Sequence, residues 1–180
     1  GSITYAPKAD FITGTRPYSV TIRDLDKDGK ADLAVANYAS TTISVFRNTS
    51  SGTGNINFAA KVDFTAAAGP YSIVAEDFDA DGRDDLAVAN WNGNTVSVFR
   101  NTGTVPGSIS FAAKVDFVSG TTPFSISIGD FDGDAKSDIA VANINSNSIS
   151  VFRNTSSGLG NVNFDAKVDL TTGTEPVTVS

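Results

Sequence analysis

A nine-residue stretch, Asp24-Leu25-Asp26-Lys27-Asp28-Gly29-Lys30-Ala31-Asp32, returns after 53 residues as Asp77 to Asp85 and, 53 residues further on, as Asp130 to Asp138. Each copy carries aspartates at positions 1, 3, 5 and 9: Asp24, Asp26, Asp28 and Asp32; Asp77, Asp79, Asp81 and Asp85; Asp130, Asp132, Asp134 and Asp138. Four carboxylates in so short a loop repel one another unless a cation sits among them. A hard divalent ion takes roughly six to eight oxygens at short range, and alternate residues of a tight loop aim their side chains at one centre. The expected occupant is Ca²⁺, one ion per copy. Position 7 (Lys30, Arg83, Lys136) would lend its backbone carbonyl, which leaves its charged side chain free to point outward. The bland alternative is an acidic solvated turn with no ion, since Asp-Gly is a common turn pair. Three copies that keep all four carboxylates argue against it.

Position 6 is Gly29 and Gly82, as a left-handed residue should be, but Ala135 in the third copy. A Cβ there costs roughly 1 kcal/mol if the left-handed conformation is retained, so the third site is expected to be the weakest. Two other calcium loops are excluded. An EF-hand needs a bidentate glutamate at position 12 between two helices, whereas Val35, Val88 and Val141 stand there. The Gly-Gly-x-Gly-x-Asp run of nonapeptide calcium repeats does not occur.

Between these loops the chain is three gapless units of 53 residues, 18–70, 71–123 and 124–176. Each opens with a short alternating strand such as Ser19-Val20-Thr21-Ile22, and period two means strand. After the aspartate loop comes Leu33-Ala34-Val35-Ala36-Asn37, repeated at Leu86 and Ile139, with large residues on one face and alanines on the other. The alanine face is expected to pack closely on a neighbouring sheet. A variable turn, a third strand (Ile43 to Asn48) and a Gly/Ser/Asn-rich loop lead to a fourth strand carrying Phe58, Val62 and Phe64. No helical periodicity interrupts the pattern. The predicted fold is all-β, with each unit a blade of four antiparallel strands.

Four-stranded units at this period are characteristic of β-propellers, and a single such sheet must stack on neighbours to bury both faces. The Asp-x-Asp-x-Asp-Gly-x-x-Asp loop followed by Leu-Ala-Val-Ala-Asn resembles the FG-GAP/VCBS repeat of integrin-α-type calcium-binding propellers over essentially the whole chain. The Phe-Gly and Gly-Ala-Pro pieces are degenerate, with Ala68-Gly69-Pro70, Thr122-Pro123 and Glu175-Pro176 in the second place. Ile3 to Phe11 matches the fourth strand, so 1–17 is expected to complete a preceding blade. Residues 177–180 begin a further inner strand. Three blades are too few to close a ring, which takes about four to eight. Further blades of a parent chain, or a second copy in a homo-oligomer or fibre, are expected to cover the open faces.

The net charge is -7, and twelve of the twenty acidic residues are the aspartates at positions 1, 3, 5 and 9 of the loops. Three calcium ions would bring it to -1, so the acidity is local. No Lys/Arg cluster exists to neutralise phosphates, which excludes a nucleic-acid partner. Cysteine, histidine and methionine are absent, which removes thiol chemistry, the usual general base and the usual zinc ligand. No apolar run approaches the ~20 residues of a membrane span. An export signal would lie outside these residues.

The resemblance implies a non-catalytic, calcium-stabilised interaction module of an extracellular or cell-surface protein, in adhesion or a surface fibre. A carbohydrate-binding propeller is the alternative, with Tyr38 and Trp91, aromatic at matching positions of two turns, as sugar-stacking candidates beside Asn92 and Asn94; covering an adjacent blade is the plainer role for both. Asp10, Asp63, Asp116 and Asp169 share one position in successive outer strands, and repetition points to structure and not to a catalytic dyad. Arg47, Arg100 and Arg153, with Lys61, Lys114 and Lys167, are expected to pair with those outer aspartates across the sheet. Asn48-Thr49-Ser50 and Asn154-Thr155-Ser156 fit the N-glycosylation pattern, although a turn after a strand explains them equally well.

Overall fold

The computed structural model describes residues 8–179. Its twelve strands form three four-stranded antiparallel meanders, and no helix occurs among the described residues. The first sheet comprises β1 (Pro17–Arg23), β2 (Asp32–Asn37), β3 (Thr42–Phe46) and β4 (Val62–Thr65). The second comprises β5 (Pro70–Glu76), β6 (Asp85–Asn90), β7 (Thr95–Phe99) and β8 (Val115–Val118), and the third β9 (Pro123–Gly129), β10 (Asp138–Asn143), β11 (Ser148–Phe152) and β12 (Val168–Thr171). Neighbours in sequence are neighbours in each sheet. The fold is a row of open propeller blades, and each aspartate loop is the hairpin between the first and second strands of its sheet.

Each sheet begins at a proline, and the residue before it is left-handed: Arg16 (φ 55°), Gly69 (φ 70°) and Thr122 (φ 60°). Glu175 (φ 55°), before Pro176, repeats the conformation with no strand after it among the described residues. Proline has no N–H to give the ladder and is tolerated as the first residue of an edge strand. This elbow turns the chain out of one sheet and into the next.

The second strands show why the sheets stack. Ala34 and Ala36 of β2 lie in one buried cluster with Leu86 and Val88 of β6, and Ala87 and Ala89 of β6 lie in another with Ile139 and Val141 of β10. The small face of one sheet thus receives the large face of the next, the close approach expected from the alternation. At the rim, Phe64 meets Phe111 edge-on at 5.1 Å and Phe117 meets Phe164 at 5.3 Å. Near the axis, the N–H groups of Ile73 and Ile126 donate to Ser19 Oγ and Ser72 Oγ of the preceding sheet, both at 3.4 Å.

The chain ends repeat these contacts without a sheet of their own. Phe11 meets Phe58 at 5.1 Å, in the manner of Phe64 on Phe111, and Val179 N–H donates to Ser125 Oγ at 3.4 Å. Residues 8–13 and 174–179 form no strand. Most of the expected strand Ile3 to Phe11 lies outside the described residues. The fourth strand is shorter than expected: Phe58 makes only an isolated bridge with Asn48, and the ladder proper starts at Val62.

Burial differs sharply between seams and ends. Val20 and Ile22 are 54% and 55% exposed, whereas their counterparts in β5, Ile73 and Ala75, are 4% and 2% exposed. Leu86→Ala, which opens a cavity in the first seam, should therefore cost about 2–5 kcal/mol, and Val20→Ala within about 0.5 kcal/mol; urea denaturation with unchanged slope checks both.

Candidate functional site

The first two loops share one hydrogen-bond scheme, and the third departs from it in that Asp130 accepts from Gly133 N–H (2.7 Å) where the others accept from the position 5 N–H. In the first, Asp24 accepts from the N–H groups of Asp28 (3.1 Å) and Gly29 (2.9 Å), Asp26 from Asp28 (3.1 Å) and Asp28 from Lys30 (2.9 Å). Asp32 reaches back across the hairpin, accepting from Leu25 N–H at 2.9 Å and Asn48 N–H at 2.7 Å. Asp85 does the same with Phe78 and Asn101, and Asp138 with Phe131 and Asn154. The position 9 aspartate therefore ties the loop to the end of the third strand.

These bonds draw the carboxylates together. One oxygen from each of Asp24, Asp26 and Asp32, from each of Asp77, Asp79 and Asp81, and from each of Asp130, Asp132 and Asp138 lies within 4.8 Å of the others, three acidic clusters able to hold a metal ion, one per repeat. Asp28, Asp85 and Asp134 stand beside these triads. Lys30, Arg83 and Lys136 do not point freely outward as expected but fold back onto the position 5 aspartates of their own loops, at 3.2, 3.7 and 3.7 Å.

The clusters are electrostatically unbalanced. Two carboxylates within 4.8 Å repel by more than about 3 kcal/mol at an effective dielectric of ~20. Burial pushes the carboxyl groups of Asp26 and Asp32 above their ordinary range, and lifts that of Asp85 to about 7, with Asp79 and Asp81 adding to the rise. Asp26 Oδ2 is buried and has no hydrogen-bond partner. An orphaned carboxylate oxygen in an all-oxygen cluster suits a hard cation, so the residues present fit one.

Backbone strain does not single out the third loop. Positions 4 and 6 are both left-handed in every copy: Lys27 (59°) and Gly29 (86°), Ala80 (58°) and Gly82 (85°), Gly133 (80°) and Ala135 (66°). Ala135 is strained as expected, but Gly133 relieves the position where the other loops carry Lys27 and Ala80. Each loop thus holds one non-glycine residue in this region. The third differs instead in exposure: Asp130, Asp132 and Asp134 are exposed, and Phe131 is 57% exposed where Leu25 and Phe78 are 1% and 2%.

Leu25 and Phe78 are the reason the loops belong to the seams. Each is a plug driven into the next sheet, and its carbonyl accepts a bond from that sheet: Asn101 Nδ2 donates to Leu25 O (2.8 Å) and Asn154 Nδ2 to Phe78 O (2.9 Å). Gly160 N–H of the third repeat also donates to Asp79 Oδ2 at 2.7 Å. Asn48 and Asn154 entered the sequence analysis only as glycosylation candidates and Asn101 not as a site residue, and the Asn154 amide, buried and donating to two carbonyls, does not suit a glycan. Their recurrence at one repeat position was the available signal.

Tyr38 and Trp91 lie at the opposite end of the sheets from the loops. Tyr38 packs on Tyr18 (5.4 Å) and Tyr71 (6.2 Å), and Trp91 on Tyr71 (5.0 Å) and Phe124 (5.5 Å). Asn92 Nδ2 donates to Tyr38 Oη at 3.2 Å, and Asn94 Oδ1 accepts from Thr122 N–H at 2.9 Å. These rings bridge adjacent sheets. Lys61, Lys114 and Lys167 do pair with Asp63, Asp116 and Asp169, but along one strand and not across the sheet. Those aspartates also accept from Ser44, Ser97 and Ser150, which accept in turn from Asn37, Asn90 and Asn143. Of the arginines, Arg153 pairs with Asp165 and Asp132 instead.

Among solved structures, the chain is similar to the one described as BBS1N in complex with ARL6DN, soaked with lead, with a TM-score of 0.58 and 17% identity over 94% of this chain and 49% of that one. It spans about half the length of that chain, and the likeness is one of fold. No curated protein matches the sequence. The family model for the FG-GAP-like repeat matches twice, over residues 24–88 and 77–141, each time running from one aspartate loop through the next. With about two thirds of its length matched by these two copies, the chain belongs to the FG-GAP-like repeat family.

Proposed function

We propose that the chain is a calcium-stabilised, non-catalytic interaction module of an extracellular repeat protein. The carrying observation is the recurrent carboxylate triad, on a seam in the first two repeats, with Asp26 Oδ2 buried and unpartnered. In this reading Ca²⁺ is held by the aspartates at positions 1, 3, 5 and 9 with the carbonyl of Lys30, Arg83 or Lys136. The ion supplies the positive charge that lets the hairpin close; Leu25 and Phe78 then stay seated in the next sheet. Sites of this kind fill where calcium is plentiful, which favours the outside of a cell. An adhesive or fibre-forming role fits the two open faces, whose counterparts inside the row are covered by the next sheet. Further blades of a parent chain or a second copy would cover them. Packing of Tyr38 and Trp91 on neighbouring rings favours this scaffold over a sugar-binding role for those residues.

A ligand bound only by the folded state adds about 2.7 kcal/mol per site at a hundredfold excess over Kd, which is about 5–10 °C in Tm for a chain of this size. Scanning calorimetry should show that gain when EDTA is replaced by millimolar calcium, and an unchanged Tm would overturn the proposal. Asp79→Asn should remove most of the gain from the second site while the circular dichroism of the strands persists.

A pH series adds a sign. Without calcium, the folded-state value of about 7 for Asp85 lies above the ordinary 3.8. Its stabilising contribution is thus fully present below about 4 and lost as pH rises through about 7; Asp26 and Asp32 shift the same way. In EDTA, Tm should fall between about pH 5 and 8, and Asp85→Asn should flatten the fall. In calcium, protons compete for the ligands, so the gain over EDTA should grow with pH.

A further inference from the structure

Two grooves open at the outer rim, one in each seam, and they correspond residue for residue across one repeat. The first, about 270 Å³, is lined by Val45, Arg47 and Ala59 of one repeat and by Gly107 and Ile109 of the next. The second, about 190 Å³, is lined by Val98, Arg100 and Ala112, by Gly160 and Val162, and by Phe117, whose counterpart does not line the first. Each has a mainly aliphatic floor and a single half-buried arginine. Among the described residues neither guanidinium has a carboxylate within 4.0 Å or a hydrogen bond, whereas the third counterpart, Arg153, is engaged twice. Arg153 Nε donates to Asp165 Oδ2 at 3.0 Å, its NH2 lies 2.9 Å from the same oxygen, and its NH1 lies 3.5 Å from Asp132.

The backbone explains the difference. Residues 59, 112 and 165 occupy one position, and their N–H groups donate to the carbonyls of Arg47, Arg100 and Arg153 at 2.9, 2.8 and 2.9 Å. The side chain at this position sits beside the arginine. It is Asp165 in the third repeat and Ala59 or Ala112 in the other two. The third repeat thus shows the arginine taking the carboxylate beside it, and in the grooves an alanine leaves that room open. The position 3 aspartate that Arg153 reaches at 3.5 Å has for Arg47 the counterpart Asp26, on which it acts from beyond ion-pair distance.

We propose that these two grooves bind a carboxylate-bearing peptide, with Arg47 and Arg100 as the charged anchors and the aliphatic floor receiving small apolar side chains next to the acidic residue. A guanidinium with an apolar surround gives a charge-assisted pair more weight than solvent would. Ser108 and Asn161 are the polar side chains of the two linings besides the arginines, too few to satisfy the hydroxyls of a sugar. The one aromatic ring, Phe117 of the second groove, is half-buried and packed edge-on against Phe152 and Phe164. The poverty of polar partners favours a peptide over an acidic glycan. The net charge of -7 does not attract anions in general, so recognition rests on these two side chains. This goes beyond the calcium-scaffold reading, which says nothing about the grooves.

The test is a titration of the isotope-labelled chain, in millimolar calcium, with the blocked pentapeptide Val-Ala-Asp-Ala-Val, followed on the Nε–H signals of Arg47 and Arg100 and the amide signals of Gly107 and Gly160. Saturable shifts of all four are expected. Replacing the peptide's aspartate by asparagine should weaken binding by about tenfold, the size of losing one charge-assisted pair. Ala59→Asp with Ala112→Asp, which builds the third repeat's own carboxylate into both grooves, should weaken it as much while the remaining amide spectrum stays dispersed, as should Arg47→Gln with Arg100→Gln. The proposal is overturned by shifts that do not saturate, by equal binding of the asparagine peptide, by an alanine-to-aspartate variant that binds as before, or by a uronate oligosaccharide that moves these signals when the peptide does not. A chain whose Tm rises with calcium but which ignores the peptide keeps the scaffold reading and loses this one.

Discussion

The second strand of every sheet is apolar on both faces, and that single constraint orders the rest. A four-stranded meander with Leu86 and Val88 on one side and Ala87 and Ala89 on the other has no face to give to water. The sheets must stack, and alternation of large and small residues along the second strand sets how closely. Alanine against leucine or isoleucine lets the second strands approach closely, which is why β6 is buried along its whole length in the middle sheet.

The acidic loops are inseparable from that stacking. Position 2 of each loop carries a large apolar residue, and where a following sheet exists it is driven into the seam, with an asparagine from the following sheet fastened to its carbonyl. Loop conformation and sheet contact are therefore one structural unit. The position 9 aspartates are buried at the root of the hairpin and accept two backbone N–H bonds each, which offsets their desolvation but not the repulsion from their neighbours. A cation at the centre of the triad would act on both the hairpin and the seam. Phe131 shows the same loop without a covering sheet: its ring stays in solvent, and the carboxylates around it are more exposed.

Much of this was legible in the residues. Strand type, strand order and the triads follow from local rules: alternation makes strands, Asp-x-Asp-x-Asp in a tight turn aims carboxylates at one point, and a gapless 53-residue period makes every unit report on the others. The alanine faces were readable for the same reason. Other features were hidden because they depend on where a backbone goes and not on what a residue prefers. Lys27 and Ala80 hold left-handed conformations that their identities do not advertise, and Gly133 offsets the strain at Ala135 from two residues away. Lys61 and Asp63 meet along their own strand because Ser44 takes the other carboxylate oxygen from across the ladder.

The sequence by itself determined a repeating all-β array with an acidic hairpin in each unit, because side-chain alternation and carboxylate spacing act within a few residues and need no distant partner. Tertiary structure alone decided which of three nearly identical loop positions is buried or open. Leu25, Phe78 and Phe131 share one place in the repeat, yet the first two are buried and the third is exposed, according to whether another sheet packs on the loop. Burial is a property of the neighbouring sheet, and no single repeat encodes its neighbour.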